Sequence, residues 1–378
     1  MKEKKSGQLR IAMLGHKRIP SREGGIEIVV EELSTRMVEL GHAVTCYNRK
    51  GHHVSGVEFD GEERSEYKGV RLKTVPTIER KGLAAVTSSF FASLFAAVGP
   101  YVVHIHAEGP AFFCWLPKLF GKRVVVTIHG LDWMREKWKG GFGSRFIRKG
   151  EEHAIKYADE IIVLSKNMQR YFSERYNRTT CFIPNGIERP KIIEQDLIRR
   201  EYGLEKDKYI LFLGRRVPEK GLTYLIDAFK NVDTDFKLVI AGGSSDTDTY
   251  TDQIKNMAKD DLRILFTGFV QGKMLEELYS NAYVYVLPSD VEGMPLSLLE
   301  AMSYGNCCLV SDIKEITEVV EDKAVIFPKG NVNLLTKKLQ FLCDNKSEVA
   351  QYKAQATEFI CGKYNWNSVV NETVSLYY

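Results

Sequence analysis

What is missing narrows this sequence of 378 residues first. Residues 1–10 are basic but run straight into a strand-like segment, without the apolar core of a secretory leader. No apolar run is long and unbroken enough to span a bilayer. The most apolar stretch, 83–105, is interrupted by Thr87, Ser88, Ser89, Gly99 and Pro100, and reads as a buried helix followed by a strand. The seven cysteines form no Cys-x-x-Cys pair, which argues against a zinc ribbon or a dithiol redox site and fits a reducing cytoplasm. A net charge of +4 gives no general attraction to nucleic acid, so any basic function is local.

Two further absences bear on chemistry. There is no Gly-x-Gly-x-x-Gly with an acidic residue downstream, which argues against a nicotinamide-dependent oxidoreductase. No acidic cluster has metal-ligand spacing. The triplets Asp233-Thr234-Asp235 and Asp246-Thr247-Asp248 sit in polar segments and read as solvated turns, so neither a metal nor another cofactor is expected.

What is present is a soluble, core-forming composition, 44% hydrophobic and 27% charged, at a length that one core rarely organises. Short β-branched runs recur at 9–14, 43–47, 70–75, 102–105, 124–128 and 160–164, with helical patterns between most of them. A second series follows at 209–213, 237–241, 264–267, 283–287, 307–310 and 324–327. Alternation of this kind predicts parallel sheets covered on both faces, hence an α/β protein of two Rossmann-like domains. The turn-forming segment Pro184-Asn185-Gly186 separates them. The expected domains are 1–185, with a returning helix over 362–378, and 186–361. A ligand cleft is expected between them, at the carboxyl ends of the strands.

The richest segment, residues 288–302, follows a strand. Pro295 suits a first helical turn, so the open amides of Leu296 and Ser297 are expected to face an anion such as a diphosphate, with Gly293 and Met294 beside it. Glu292 lies in the preceding loop, near whatever that diphosphate carries, and Glu300 is further along, able to accept hydrogen bonds from ribose hydroxyls. In residues 214–221, Arg215 and Lys220 are spaced to neutralise a departing diphosphate, the task a divalent metal would otherwise perform; a solvated basic loop is the alternative. In the loop 15–25, Gly24 and Gly25 either let backbone approach a ligand or simply form a turn. His129 ends a strand and is placed to hydrogen-bond a donor sugar or assist at the reacting centre, and His106 ends the neighbouring one; a satisfied packing role is the alternative for each.

Gly214-Arg215 with Glu219-Lys220-Gly221, the pair Glu292 and Glu300, Pro184-Asn185-Gly186-Ile187 and Tyr364-Asn365-Trp366 together resemble a family 4 glycosyltransferase of the GT-B fold. The resemblance implies that Lys220 and Arg215 hold the diphosphate, Glu300 the ribose, and Glu292 a place near the donor sugar. It also implies that the backbone near Val270 contacts the base, that transfer retains anomeric configuration, and that residues from about 362 return to the first domain. Gly15 with Arg18-Ile19-Pro20 and the segment 24–33 resembles rhamnosyltransferases of bacterial surface polysaccharide assembly. A saccharide or lipid-linked saccharide acceptor is then expected. Segment 132–149 interleaves aromatic and cationic residues, among them Asp132, Trp133, Arg135, Lys137, Trp138 and Arg145. It reads either as a glycine-loosened acceptor loop at an anionic membrane surface, from the cytoplasmic side, or as core aromatics with a solvated cationic face.

Overall fold

The computed structural model describes residues 7–51, 64–80, 82–135, 141–243 and 248–378. The chain divides into two compact units, Met1–Gly186 with Trp366–Tyr378, and Ile187–Asn365. Each is a sheet flanked by helices.

In the first unit the strands are β1 (Arg10–Leu14), β2 (Ala43–Arg49), β3 (Glu66–Tyr67), β4 (Val70–Val75), β5 (Val102–His106), β6 (Arg123–Ile128), β7 (Glu160–Val163) and β8 (Cys181–Phe182). They lie in the order β3-β4-β2-β1-β5-β6-β7-β8, parallel except where β3 pairs antiparallel with β4. Every residue of β5 is buried, as a strand covered on both faces requires. Ile11, Met13 and Leu14 are at most 1% exposed, and side chains of this kind stabilise the fold by roughly 1.5–3 kcal/mol each.

The second unit contains β9 (Tyr209–Leu213), β10 (Lys237–Ala241), β11 (Ile264–Gly268), β12 (Val284–Leu287), β13 (Cys307–Ser311) and β14 (Val325–Phe327). Their order is β11-β10-β9-β12-β13-β14, all parallel. Both sheets reverse direction of winding at one point, between β1 and β5 in the first and between β9 and β12 in the second. Crevices open at such points outside the carboxyl ends of the strands.

Three expectations need correction. Gly362 and Lys363 close the helix Lys346–Lys363 of the second unit; the chain is extended at Tyr364, and the returning segment begins at Trp366. That segment, the helix Trp366–Ser375, packs on the helix Gly25–Glu39. Gly186 closes against the Trp366 ring, where a β-carbon would approach to 2.5 Å. Tyr377 is fully buried, and the Leu376 carbonyl accepts from Arg123 Nε at 2.6 Å. The helix Leu83–Ala96 is only half covered: Leu83, Phe90 and Phe95 are exposed, because the face it buries is made of small residues, Ser88, Ser89, Ala92, Ser93 and Ala96. The segment 132–149 reads as a loop because of its glycines, but its later part, from Gly141 on, belongs to the helix Gly141–Tyr157. Ile147, Gly150 and Ala154 make its buried face, and Gly150 lies so close to the Glu108 carbonyl that a β-carbon would sit 1.9 Å from it. Among the described residues no helix is long and apolar enough to cross a membrane.

Candidate functional site

In the second unit the winding reversal brings two loops together, 214–221 after β9 and 288–295 after β12. Gly221, at φ 67°, makes this possible: a β-carbon there would stand 2.1 Å from the Pro288 carbonyl oxygen, so only glycine lets the two backbones meet. The Asp290 amide donates to the Glu219 carbonyl at 2.8 Å, and Tyr224 Oη donates to Asp290 Oδ2 at 3.0 Å. The short 3-10 turn Pro218–Lys220 then delivers Lys220 across the gap, where Nζ lies 2.5 Å from Glu292 Oε1. Ser289, fully buried, donates to the same oxygen at 2.7 Å. Lys220 and Glu292 are thus one largely buried ion pair.

Arg215 is half-buried in the same loop, whereas its neighbour Arg216 is buried, with desolvation lowering its guanidinium pKa. The helix that follows runs Leu296–Ser303. Pro295 is its N-cap, outside the first turn where it was expected, with extended backbone at φ −73° and ψ 112°. Its carbonyl accepts from both Leu298 and Leu299, and among the described residues no backbone carbonyl takes the amides of Leu296 or Ser297. Two N–H donors with the positive end of a helix behind them therefore lie next to the Lys220–Glu292 pair, an arrangement suited to an anion. Gly293, Met294 and Leu296 are buried around this start.

Glu300 lies one turn on and accepts from Tyr279 Oη at 2.9 Å; Tyr285 Oη reaches Ser297 Oγ at 2.9 Å. Burial pushes both phenols well above their ordinary pKa, so each remains a donor. Val270 is half-buried after β11, two strands away from β9 across β10. Tyr279, Tyr285 and Ser289 were not among the expected site residues: the two tyrosines support Glu300 and Ser297 from other elements, and Ser289 supports Glu292 from within the same loop. Asp233 and Asp235 are exposed and close a surface turn; Asp246 and Thr247 lie outside the described residues.

In the first unit the reversal falls beside histidines. His106 Nδ1 and His129 Nε2 are 3.0 Å apart, His104 stacks on His106 at 4.3 Å, and His104 contacts Tyr377 Oη at 2.6 Å and Thr127 Oγ1 at 2.7 Å. Burial lowers His129 to about 3, with Arg135 adding, lowers His104 to about 3, with His129 adding, and holds His106 well below its usual range. These imidazoles are neutral at physiological pH. The loop before the helix Gly25–Glu39 is tied down from within: Asn48 binds both the amide and the carbonyl of Ile19, and Glu27 accepts the Lys17 amide at 2.9 Å. Gly24 makes room for that carboxylate, since a β-carbon would lie 2.7 Å from Glu27 Oε2; Gly25 is exposed at the first helical position.

Asp132 and Arg135 pair with each other at 3.0 Å. Trp133 donates to Glu151 Oε2 at 3.2 Å with the Arg148 guanidinium 4.5 Å above its ring, and the Asp132 amide donates to the buried Glu108. Burial, with Asp132 and Glu151 adding, raises the Glu108 carboxyl well above its usual range. Lys137 and Trp138 lie outside the described residues. Arg145 is exposed, and Phe142 nearby is 79% exposed.

Residues 23–189 match the family model described as Glycosyltransferase Family 4, and residues 194–359 match Glycosyl transferases group 1. An uncharacterised glycosyltransferase of Methanocaldococcus jannaschii is 26% identical, with 98% of each chain covered. Sucrose-phosphate synthase from Thermosynechococcus elongatus superposes with a TM-score of 0.83 at 20% identity, covering 98% of each chain. The Anabaena HepE protein, solved in complex with UDP-glucose, gives 0.80 at 15% identity over 97% of this chain and 100% of that one. At these identities the solved structures establish the fold, which is GT-B.

Proposed function

We propose, for a chain that belongs to the family 4 glycosyltransferases, that it transfers a sugar from a nucleoside diphosphate donor to a saccharide or lipid-linked saccharide acceptor, with retention and without a catalytic metal. The observation that carries this reading is the Lys220–Glu292 pair beside the open amides of Leu296 and Ser297, at the winding reversal of the second sheet. Lys220, Arg215 and those amides take up the charge on the departing diphosphate. Glu300 receives the ribose hydroxyls, the backbone at Val270 faces the base, and Glu292 accepts from a hydroxyl of the donor sugar. His129 serves the reacting centre as a neutral group. The acceptor oxygen attacks the anomeric carbon on the face the diphosphate leaves, and the departing phosphate oxygen takes the acceptor proton.

The likeness of the opening segment to rhamnosyltransferases supports a role in bacterial surface polysaccharide synthesis at the cytoplasmic face of the membrane, and puts dTDP-rhamnose first in the donor panel. Thermal shift against UDP-, GDP- and dTDP-sugars identifies the donor, because a ligand at a hundred times its Kd stabilises the native state by about 2.7 kcal/mol. Transfer from the donor so identified, with the product anomer read by NMR, tests the reaction. A product of inverted configuration, or nucleotide-sugar isomerisation without an acceptor, overturns it.

A further inference from the structure

We propose that His106 is a positioning residue that fixes the tautomer of His129, so that His129 offers a hydrogen-bond donor, Nδ1–H, and is barred from acting as a base through Nε2. The inference rests on the reading above that His129 serves the reacting centre.

His106 ends β5, where it pairs in register with Thr127 of β6, and His129 follows two residues later on the same side of the sheet. The backbone at His106 is closely approached by the residue that follows β1: Gly15, at φ 104°, lies so near that a β-carbon would stand 2.1 Å from the His106 carbonyl oxygen. Its ring is fully buried and stacked on His104. Each neutral imidazole carries one N–H, so the 3.0 Å contact between His106 Nδ1 and His129 Nε2 can be made in two ways. If His129 Nε2–H donates, the single proton of His106 must sit on Nε2. That atom is buried and has no partner among the described residues, which would leave an N–H stranded out of water.

His16 does not rescue that arrangement. Asn48 Nδ2 donates to the Ile19 carbonyl, so Asn48 Oδ1 is the acceptor and His16 Nε2 the donor to it. The bare Nδ1 of His16 is itself buried without a hydrogen-bond partner, so it is not within reach of His106 Nε2. If His106 Nδ1–H donates instead, its buried Nε2 carries only a lone pair, the better tolerated deficit. His129 Nε2 is then occupied as an acceptor, and its proton resides on Nδ1. The hydrogen bond at one ring nitrogen sets the state of the other.

The test is a long-range 1H–15N correlation of the full-length chain labelled at histidine, assigned through single variants, at pH 7. The expected result is protonation at Nδ1 for both His106 and His129. In His106→Leu the His129 signals move toward the Nε2–H form that an unconstrained histidine prefers, and kcat falls about tenfold with donor KM unchanged. His106→Asn, whose amide can reproduce the Nδ1–H donor, recovers most of that loss. An Nε2–H signature for His129 in the wild type overturns the proposal, and so does an unchanged tautomer in a folded His106→Leu. If His106→Leu does not fold, the wild-type spectrum decides alone. Full activity in His129→Ala beside the expected wild-type spectrum would remove the role of His129 in transfer while leaving the tautomer assignment in place.

Discussion

Acidification should weaken the first unit through its histidines, and His104 isolates the effect. In the folded chain this ring is fully buried between Tyr377 and Thr127 and titrates near 3; in the unfolded chain it returns to 6.5. Below 6.5 the unfolded state binds a proton that the folded state refuses, so the stability owed to neutral His104 is intact above 6.5 and is lost as pH falls toward 3. Between pH 7 and pH 5 the loss is about 2 kcal/mol, from about 1.4 kcal/mol per pH unit over the interval below 6.5. His16, lowered to about 4 by burial against the opposing effect of its hydrogen bond to Asn48 Oδ1, acts in the same direction. Glu108 acts the other way, since its raised carboxyl pKa removes a penalty as pH falls. Comparing wild type with His104→Asn cancels both.

The assay is urea unfolding followed by tryptophan fluorescence. The described tryptophans, Trp115, Trp133 and Trp366, belong to the first unit, and a Trp138→Phe background restricts the signal to them. His104→Asn should be less stable at pH 7, where it lacks the full hydrogen-bond set. Its midpoint should then fall less on going to pH 5, by about 1 M urea. Equal pH sensitivity in the two proteins would mean that His104 is not held neutral by the fold, and would refute the reasoning.

Replacing Lys220 by Ala removes a charge aimed at the leaving group and leaves Glu292 largely buried without its partner; kcat should drop on the order of a hundredfold, and a wild-type rate would move the diphosphate elsewhere. Glu300→Ala should act mainly on donor KM, and Tyr279→Phe should repeat a smaller part of the effect by freeing the Glu300 carboxylate; a pure kcat defect would contradict a ribose-binding role. Turnover should persist in excess EDTA, and loss of activity restored by magnesium or manganese would refute charge neutralisation by Arg215 and Lys220 alone. Wild-type protein should sediment with anionic vesicles at low salt and Phe142→Ser with Arg145→Glu should not, since both side chains are exposed on one helix; failure of the wild type to bind removes the membrane reading.

The strands were readable because parallel strands buried on both faces are rich in β-branched residues, as Val102, Val103 and Ile105 of β5 and the run from Val124 to Ile128 in β6 show. Two-residue strands such as β3 and β8 leave no such trace. The loops after β9 and β12 stood out because glycine, proline and charge crowd there, yet their pairing depends on Gly221 meeting Pro288, a contact between segments far apart in sequence. The same distance hid Tyr279, Asn48 and Glu151, whose partners are supplied by other elements. The start of the helix Gly141–Tyr157 was misread because Gly140, Gly141 and Gly143 suggest a loop; further along, Gly150 lets the helix cross close to Glu108, and tertiary packing outweighed propensity.

The docking of Trp366–Tyr378 on the first unit also orders the birth of the protein. A ribosome makes the first eight strands early, but the helix that covers Gly25–Glu39, the ring that closes Gly186 and the Tyr377 hydroxyl that meets His104 arrive only after all of Ile187–Asn365 has been made. At about 5–20 residues per second that interval is on the order of tens of seconds. The half of the chain synthesised first is therefore the last to complete its core, waiting with an uncovered apolar face while the later half is already able to fold.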